Sequence, residues 1–261
     1  ALTNAKSDSS SIEALASQVA RDVLSTWESV AGDVSTSADA HNEENVMLAT
    51  YLARRMKPLP KPKKSEKPKQ GERVVATATG GMSMNTQILL GKICGGIMRL
   101  GFHTKSKGST RSSSSTLAAW RIASALSQLS GEIITYMACN GSLSKSVIDT
   151  FFELVATEHD SDSKETSSCS FSGLQQTRLD IGLALLAKIA SSIATIGTDR
   201  VGQHCVRHAF IASDVRGKEM LAASGSEREM LQLLKRTQEG RNTIGNIHAD
   251  VYERSVEDFH R

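Results

Sequence analysis

Proline is nearly missing from this 261-residue sequence: Pro58, Pro60, Pro62 and Pro68 are the whole supply. Proline fixes φ and removes a backbone donor, so the rest of the chain carries no obstacle of that kind to long helices. Aromatic residues are scarce as well, at 4%. Few rings are available for stacking on bases, so any nucleic-acid recognition would rest on backbone phosphates and be indifferent to sequence. The four cysteines, Cys94, Cys139, Cys169 and Cys205, form no CxxC pair, which excludes a zinc ribbon. Three of them fall in apolar-periodic segments, where a free cysteine behaves as a small buried hydrophobe. Reduced thiols in a cytosolic setting are expected. Long hydrophobic runs are absent too. The most apolar stretch, Ile181 to Ile196, is interrupted by Lys188, Ser191 and Ser192 and falls short of the roughly twenty apolar residues a membrane span needs. The polar residues from Ala1 to Ser11 are not expected to form a secretory signal.

Hydrophobic residues make up 39% and charged residues 23%, ordinary figures for a chain with a real core. The net charge of +3 conceals a partition. Residues 1–50 carry Lys6 and Arg21 against eight acids, residues 51–73 carry nine cations against Glu66 and Glu72, and the remainder is nearly balanced. All four prolines lie in the basic stretch. The sequence therefore divides into an acidic arm (1–56), a Pro/Lys-rich linker (57–80) and a body (81–261). The linker composition favours extended polyproline II, which at about 3.1 Å per residue reaches on the order of 45 Å over some fifteen residues.

The fold class expected is all-α. In the arm, Ser10 and Glu13 fit a capping box. Ile12, Leu15, Val19, Val23, Trp27 and Val30 then recur at three- and four-residue steps, one apolar face of a helix. That face is too narrow to form a core alone and calls for a partner surface, so Ile12, Leu15, Val19, Val23 and Trp27 are the candidate subunit contacts. A shorter helix is expected over 45–56. In the body, helices are expected over 83–100, 116–139, 144–158, 174–196, 201–213, 226–239 and 243–259. Residues 174–196 are expected to be the central helix. Ser226 and Glu229 would open the sixth of these as a capping box, and Gly240 would end it. Gly91, Gly95 and Gly96 weaken their helix but permit close packing. Val74 to Thr79 is the one strand-like run, and no internal repeat is visible.

No catalytic signature appears. Gly91-Lys92 lacks the upstream glycine and following hydroxyl of a phosphate-binding loop. His204 and His208 share a helical face beside Cys205, a spacing that can bind zinc, but Arg207 lies between them and structural or phosphate-facing histidines are the better reading. Asp160 and Asp162 sit in a polar loop without EF-hand spacing. No Gly-x-Ser-x-Gly elbow occurs. An enzyme is not expected, and neither a cofactor nor a metal is implied.

Three groups of cations remain. One is the linker. The second is Arg99, His103, Lys105, Lys107, Arg111 and Arg121 around the serine run 112–115, and the third is Arg200, His204, Arg207, His208, Arg216 and Lys218. Cations beside hydroxyls and backbone N–H groups suit phosphate, combining charge with directional donors. The candidate RNA-binding residues are Arg99, Lys105, Lys107, Arg111, Arg121, Arg207 and Arg216.

The amphipathic stretch Ile12–Val30, the linker Pro58–Lys69 and the helical body from Ser83 together resemble the layout of coat or nucleocapsid proteins of helical, filamentous RNA viruses. That resemblance implies a structural protein that forms homo-oligomers, with the arm docked on a neighbouring subunit and single-stranded RNA in a basic groove of the core. It would be found in a virion or the host cytoplasm. The other reading of the residues is a non-enzymatic helical interaction module whose head helix binds a partner protein.

Overall fold

The structure is a computed structural model that describes residues 38–56, 83–103, 113–156 and 178–260. Helices make up 86% of it and no strand occurs among the described residues, so the chain is all-α. None of these helices is long and apolar enough to cross a membrane.

Helix α1 (Ala38–Arg55) packs on α3 (Ser113–Gln128). Ala49, Leu52 and Met56 are buried against the core, while Val46, Met47 and Tyr51 are exposed on the other face. The described end of the arm therefore packs into the same core as the helices of the body. The arm stripe from Ile12 to Val30, the linker with its four prolines, and the run Val74–Thr79 lie outside the described residues, as do the loops at 104–112 and 157–177 with Cys169, Asp160 and Asp162.

Helix α2 (Met84–His103) makes its most extensive contact with α3. Every residue of α3 from Ala118 to Ser127 is buried, a longer unbroken run than any in the described part of 174–196. Alanine and serine spacing makes this possible, because small side chains let neighbouring helices close in from several sides. The helix expected over 116–139 is broken. Leu129 and Ser130 leave helical geometry, Ser130 standing extended at ψ 153°, before α4 (Gly131–Ala138) begins. The carbonyls of Ser127 and Leu129 exposed at this break accept hydrogen bonds from the Lys188 ammonium, which reaches across from α7 (Arg178–Ser191).

After α4, the Asn140 side chain accepts from the backbone N–H groups of Ser142 and Leu143, both at 3.2 Å, and starts the next run. That run is α5 (Gly141–Leu143), a π-helical segment (Ser144–Asp149) and α6 (Thr150–Ala156). The C-terminal half holds α8 (Ile193–Gly197), α9 (Gly202–Ala212), α10 (Val215–Ser226), α11 (Arg228–Lys235), α12 (Gln238–Asn246), α13 (Ala249–Arg254) and α14 (Val256–Phe259).

Several boundaries differ from the periodic reading. The segment expected as one helix over 174–196 breaks at Ser192, between α7 and α8. α10 was not expected at all, although Asp214 caps it by accepting from the Gly217 N–H at 2.9 Å. Ser226 does not open a capping box: it ends α10, its hydroxyl bonded to the Ala223 carbonyl at 2.8 Å. Gly240 does not end a helix either. It lies inside α12, where Thr237 caps its N–H at 2.9 Å, and a Cβ there would meet the Leu234 carbonyl oxygen at 2.1 Å. The expected last helix is divided at His248, which is left-handed at φ 54°.

Candidate nucleic-acid interface

The feature that organises the polar surface is the π-helical segment Ser144–Asp149. One extra residue per turn opens the backbone, a device frequent at functional sites. Helix α2 packs on one side of it and α9 on the other. The approach of α2 is close because Gly95 has no side chain: a Cβ at that position would lie 2.0 Å from the Ser146 carbonyl oxygen. At Gly91, one turn earlier, a Cβ would instead meet side chains, the Leu143 methyl at 2.8 Å and the Val147 methyl at 3.2 Å.

This packing sets Arg99, one turn beyond Gly95, against α6. Its guanidinium donates to the Thr150 hydroxyl at 2.8 Å and stands 3.9 Å from the Glu153 carboxylate. Both charged side chains are about half exposed, so the pair adds little stability and the guanidinium remains open to a solvent-side anion. Lys145 is exposed on the π-helical segment. Across from it, α9 turns His204, Arg207 and His208 to solvent while Cys205, Val206 and Ala209 are buried. This is the arc expected of residues three and four apart. α9 is held at its start by Asp199, whose carboxylate accepts from the N–H groups of Val201 and Gly202 at 2.8 and 2.9 Å.

Between the two flanks lies Asp149, with a side chain 17% exposed and Oδ2 3.6 Å from His208 Nδ1. Its Oδ1 is buried without a hydrogen-bond partner. Burial, with help from Glu153, pushes the carboxyl above the usual carboxylate range, while His208, Lys145 and His204 pull it the other way. Cys205 is hydrogen-bonded to Ser144 and pushed up to about 12, mainly by burial. It is a thiol and not a thiolate at neutral pH, so it does not serve as a nucleophile there. It also points inward while the two histidines point outward, so the three do not converge. Among the described residues no group of three His, Cys, Asp or Glu could hold a metal ion.

The candidates from the sequence fare unequally. Arg99 and Arg207, more than a hundred residues apart, come to the two flanks of one segment. Arg216 is exposed in the first turn of α10, a helix packed mainly on α7 and α13, and nothing joins it to that face. Arg121 is a correction: it is 6% exposed, on the inner side of α3, because α1 and α2 both pack over that helix, and it does not present itself to a polymer. Lys105, Lys107, Arg111 and the arm residues Ile12, Leu15, Val19, Val23 and Trp27 lie outside the described residues. Sequence reasoning missed Lys145, Asp149 and Glu153. A π-helical segment breaks the 3.6-residue period, so no spacing pattern marks these three as sharing a face with α9.

The cysteines that are described, Cys94, Cys139 and Cys205, are free thiols. Compared with known proteins, the chain matches no family model, no curated protein and no solved structure.

Proposed function

We propose that this chain is a structural protein that assembles with copies of itself and coats single-stranded RNA through sequence-independent phosphate contacts, in the manner of a viral coat or nucleocapsid protein. One observation carries the reading. Exposed cations stand around one segment: Lys145 is on the π-helical segment itself, Arg99 of α2 is bonded to Thr150 and lies beside Glu153 just beyond it, and Arg207 is on the outer arc of α9, the helix whose His208 reaches Asp149. Charge spread along a surface suits a polyanion better than a small ligand. The exposed apolar residues Val46, Met47 and Tyr51 on α1 supply surface for contacts between copies. A virion or host cytoplasm is the location this function implies.

The test is binding of poly(U) by fluorescence anisotropy over a range of salt. Each single-strand phosphate contact contributes about 0.7 to the slope of log K against log salt. The triple variant Arg99→Gln, Lys145→Gln, Arg207→Gln is expected to lower that slope by about 2. Wild-type protein that shows no salt-sensitive binding, or a triple variant with an unchanged slope, contradicts the reading.

A second reading, a helical protein-interaction module, draws on Ile211 and Val215, 62% and 63% exposed at the corner between α9 and α10. It is favoured if the wild-type protein associates with a partner protein but does not bind poly(U), and Ile211→Ser, Val215→Ser abolishes that association.

A further inference from the structure

Two of the solvent-facing groups on this face are histidines, and each stands within reach of a carboxylate and a cation. We infer that the face is proton-gated: protonation of His204 and His208, set beside Asp149 at the seam between α9 and the π-helical segment, converts a nearly balanced surface into a strongly basic one and tightens its hold on a phosphate polymer. The inference rests on the RNA reading above and adds its regulation.

At neutral pH the cations Arg99 and Lys145, with Arg207 on the outer arc of α9, are offset by Glu153 beside Arg99 and by Asp149 beside Lys145 and His208. The surplus is small. Imidazole is the side chain whose charge ordinarily changes between pH 5 and 8, and both imidazoles are exposed on the outer arc of α9. His208 Nδ1 lies 3.6 Å from Asp149 Oδ2, too far for a good neutral hydrogen bond and close enough for an ion pair once the ring is charged. That pairing neutralises Asp149, the carboxylate that otherwise repels phosphate at the centre of the face. His204, one turn earlier, then adds its own charge directly to the surface.

Other titratable groups surround these histidines, and His248 lies against the Phe210 ring on the far side of α9. The π-helical segment faces these histidines with Lys145 and Asp149, and α6 with Glu153. On their own helix stand Arg207 and the buried Cys205. Asp199 and Arg200 precede it, the Asp199 carboxylate being committed to the N–H groups of Val201 and Gly202. α8, Ile193–Gly197, has no titratable side chain. α10 brings Arg216, Lys218 and Glu219, with Lys218 over the Phe210 ring and Glu219 bonded to His260 at 2.6 Å. α12 brings Glu239 and Arg241, with the Arg241 guanidinium bonded to the Lys235 carbonyl and the Gln238 side chain.

The experiment measures poly(U) affinity of the full chain at pH 7.5 and pH 5.5 at constant ionic strength. Wild-type protein is expected to bind about tenfold or more tightly at the lower pH, with a steeper salt dependence as the two new cations engage phosphate. The double variant His204→Gln, His208→Gln is expected to lose most of that gain, to within about threefold. His260→Gln, a histidine elsewhere on the surface, is expected to keep it. Asp149→Asn is expected to bind several-fold more tightly than wild type at pH 7.5 and to respond less to acid. Salt-sensitive binding with no pH response, or a response that survives in the double variant, overturns the gate and leaves the RNA reading standing. Failure of wild-type protein to bind poly(U) at either pH overturns both.

Discussion

Placing the same methyl group on two glycines is expected to move stability in opposite directions. At Gly95, a Cβ would lie 2.0 Å from the Ser146 carbonyl oxygen, a backbone atom that cannot turn aside. At Gly245, in the last turn of α12, nothing lies within 4 Å of the same atom. In an exposed helical position, alanine is favoured over glycine by about 1 kcal/mol, so Gly245→Ala is expected to stabilise by up to that amount. Gly95→Ala gains the same propensity but forces α2 and the π-helical segment apart. Overpacking of this kind costs about 1–3 kcal/mol and sometimes more. With backbone as the obstacle the upper end applies, leaving a net loss of about 2 kcal/mol. For a chain of this size that corresponds to a fall in Tm of roughly 4–8 °C, against a rise of about 2–4 °C for Gly245→Ala. Thermal melts followed by far-ultraviolet circular dichroism, with urea titrations alongside, measure both. Gly95→Ala should also weaken poly(U) binding, because Arg99 lies one turn beyond the wedge. A Gly95→Ala protein as stable as wild type would refute the claim that α2 seats backbone to backbone on the segment that carries the face.

Other expectations follow from the same packing. Truncation of residues 1–37 should leave the body folded, whereas truncation of residues 1–56 removes Leu52 and Met56, 1% and 0% exposed. Losing two such side chains from a core costs about 4 kcal/mol or more, visible as a large drop in the urea midpoint. Lys188→Met should cost about 1–3 kcal/mol in the same assay, since the Ser127 and Leu129 carbonyls at the α3 break lose their donor. Burial pushes Cys94 and Cys205 up from 9.0 to about 12 and Cys139 up to about 11. Alkylation followed by mass spectrometry should find these three slow to react in the native protein at pH 8 and fast in guanidinium. The same shifts make folding stability fall as pH rises from about 9 toward about 12, because thiols of the unfolded chain ionise there while the buried ones do not.

The helical class was legible because apolar residues recur at three and four throughout the body, and so was the outward arc of α9 with His204, Arg207 and His208. The breaks were less legible. Ser130-Gly131 and Ser192 interrupt runs whose apolar period continues across them, so periodicity joined what the backbone divides. Ser226 and Glu229 have the spacing of a capping box, yet Ser226 is spent on the end of α10. Gly240 looks like a stop and is instead the one residue that fits against Leu234 inside α12. The site was half legible. Cation groups were visible as clusters along the chain, but the placement of Arg99 and Arg207 on opposite flanks of one π-helical segment depends on α2 and α9 both packing on it, and no local pattern encodes that. Arg121 looked like a member of its group and is buried because α3 is covered by α1 and α2.

The proposed polymerisation around RNA is checked by negative-stain electron microscopy of the purified full chain, with and without ribonuclease and with the 260/280 nm absorbance ratio recorded beforehand. Filaments or rings with an elevated ratio, shortened or dispersed by ribonuclease, are the expected result. A monodisperse monomer with the ratio of pure protein, unchanged by added poly(U) at low salt, would contradict it.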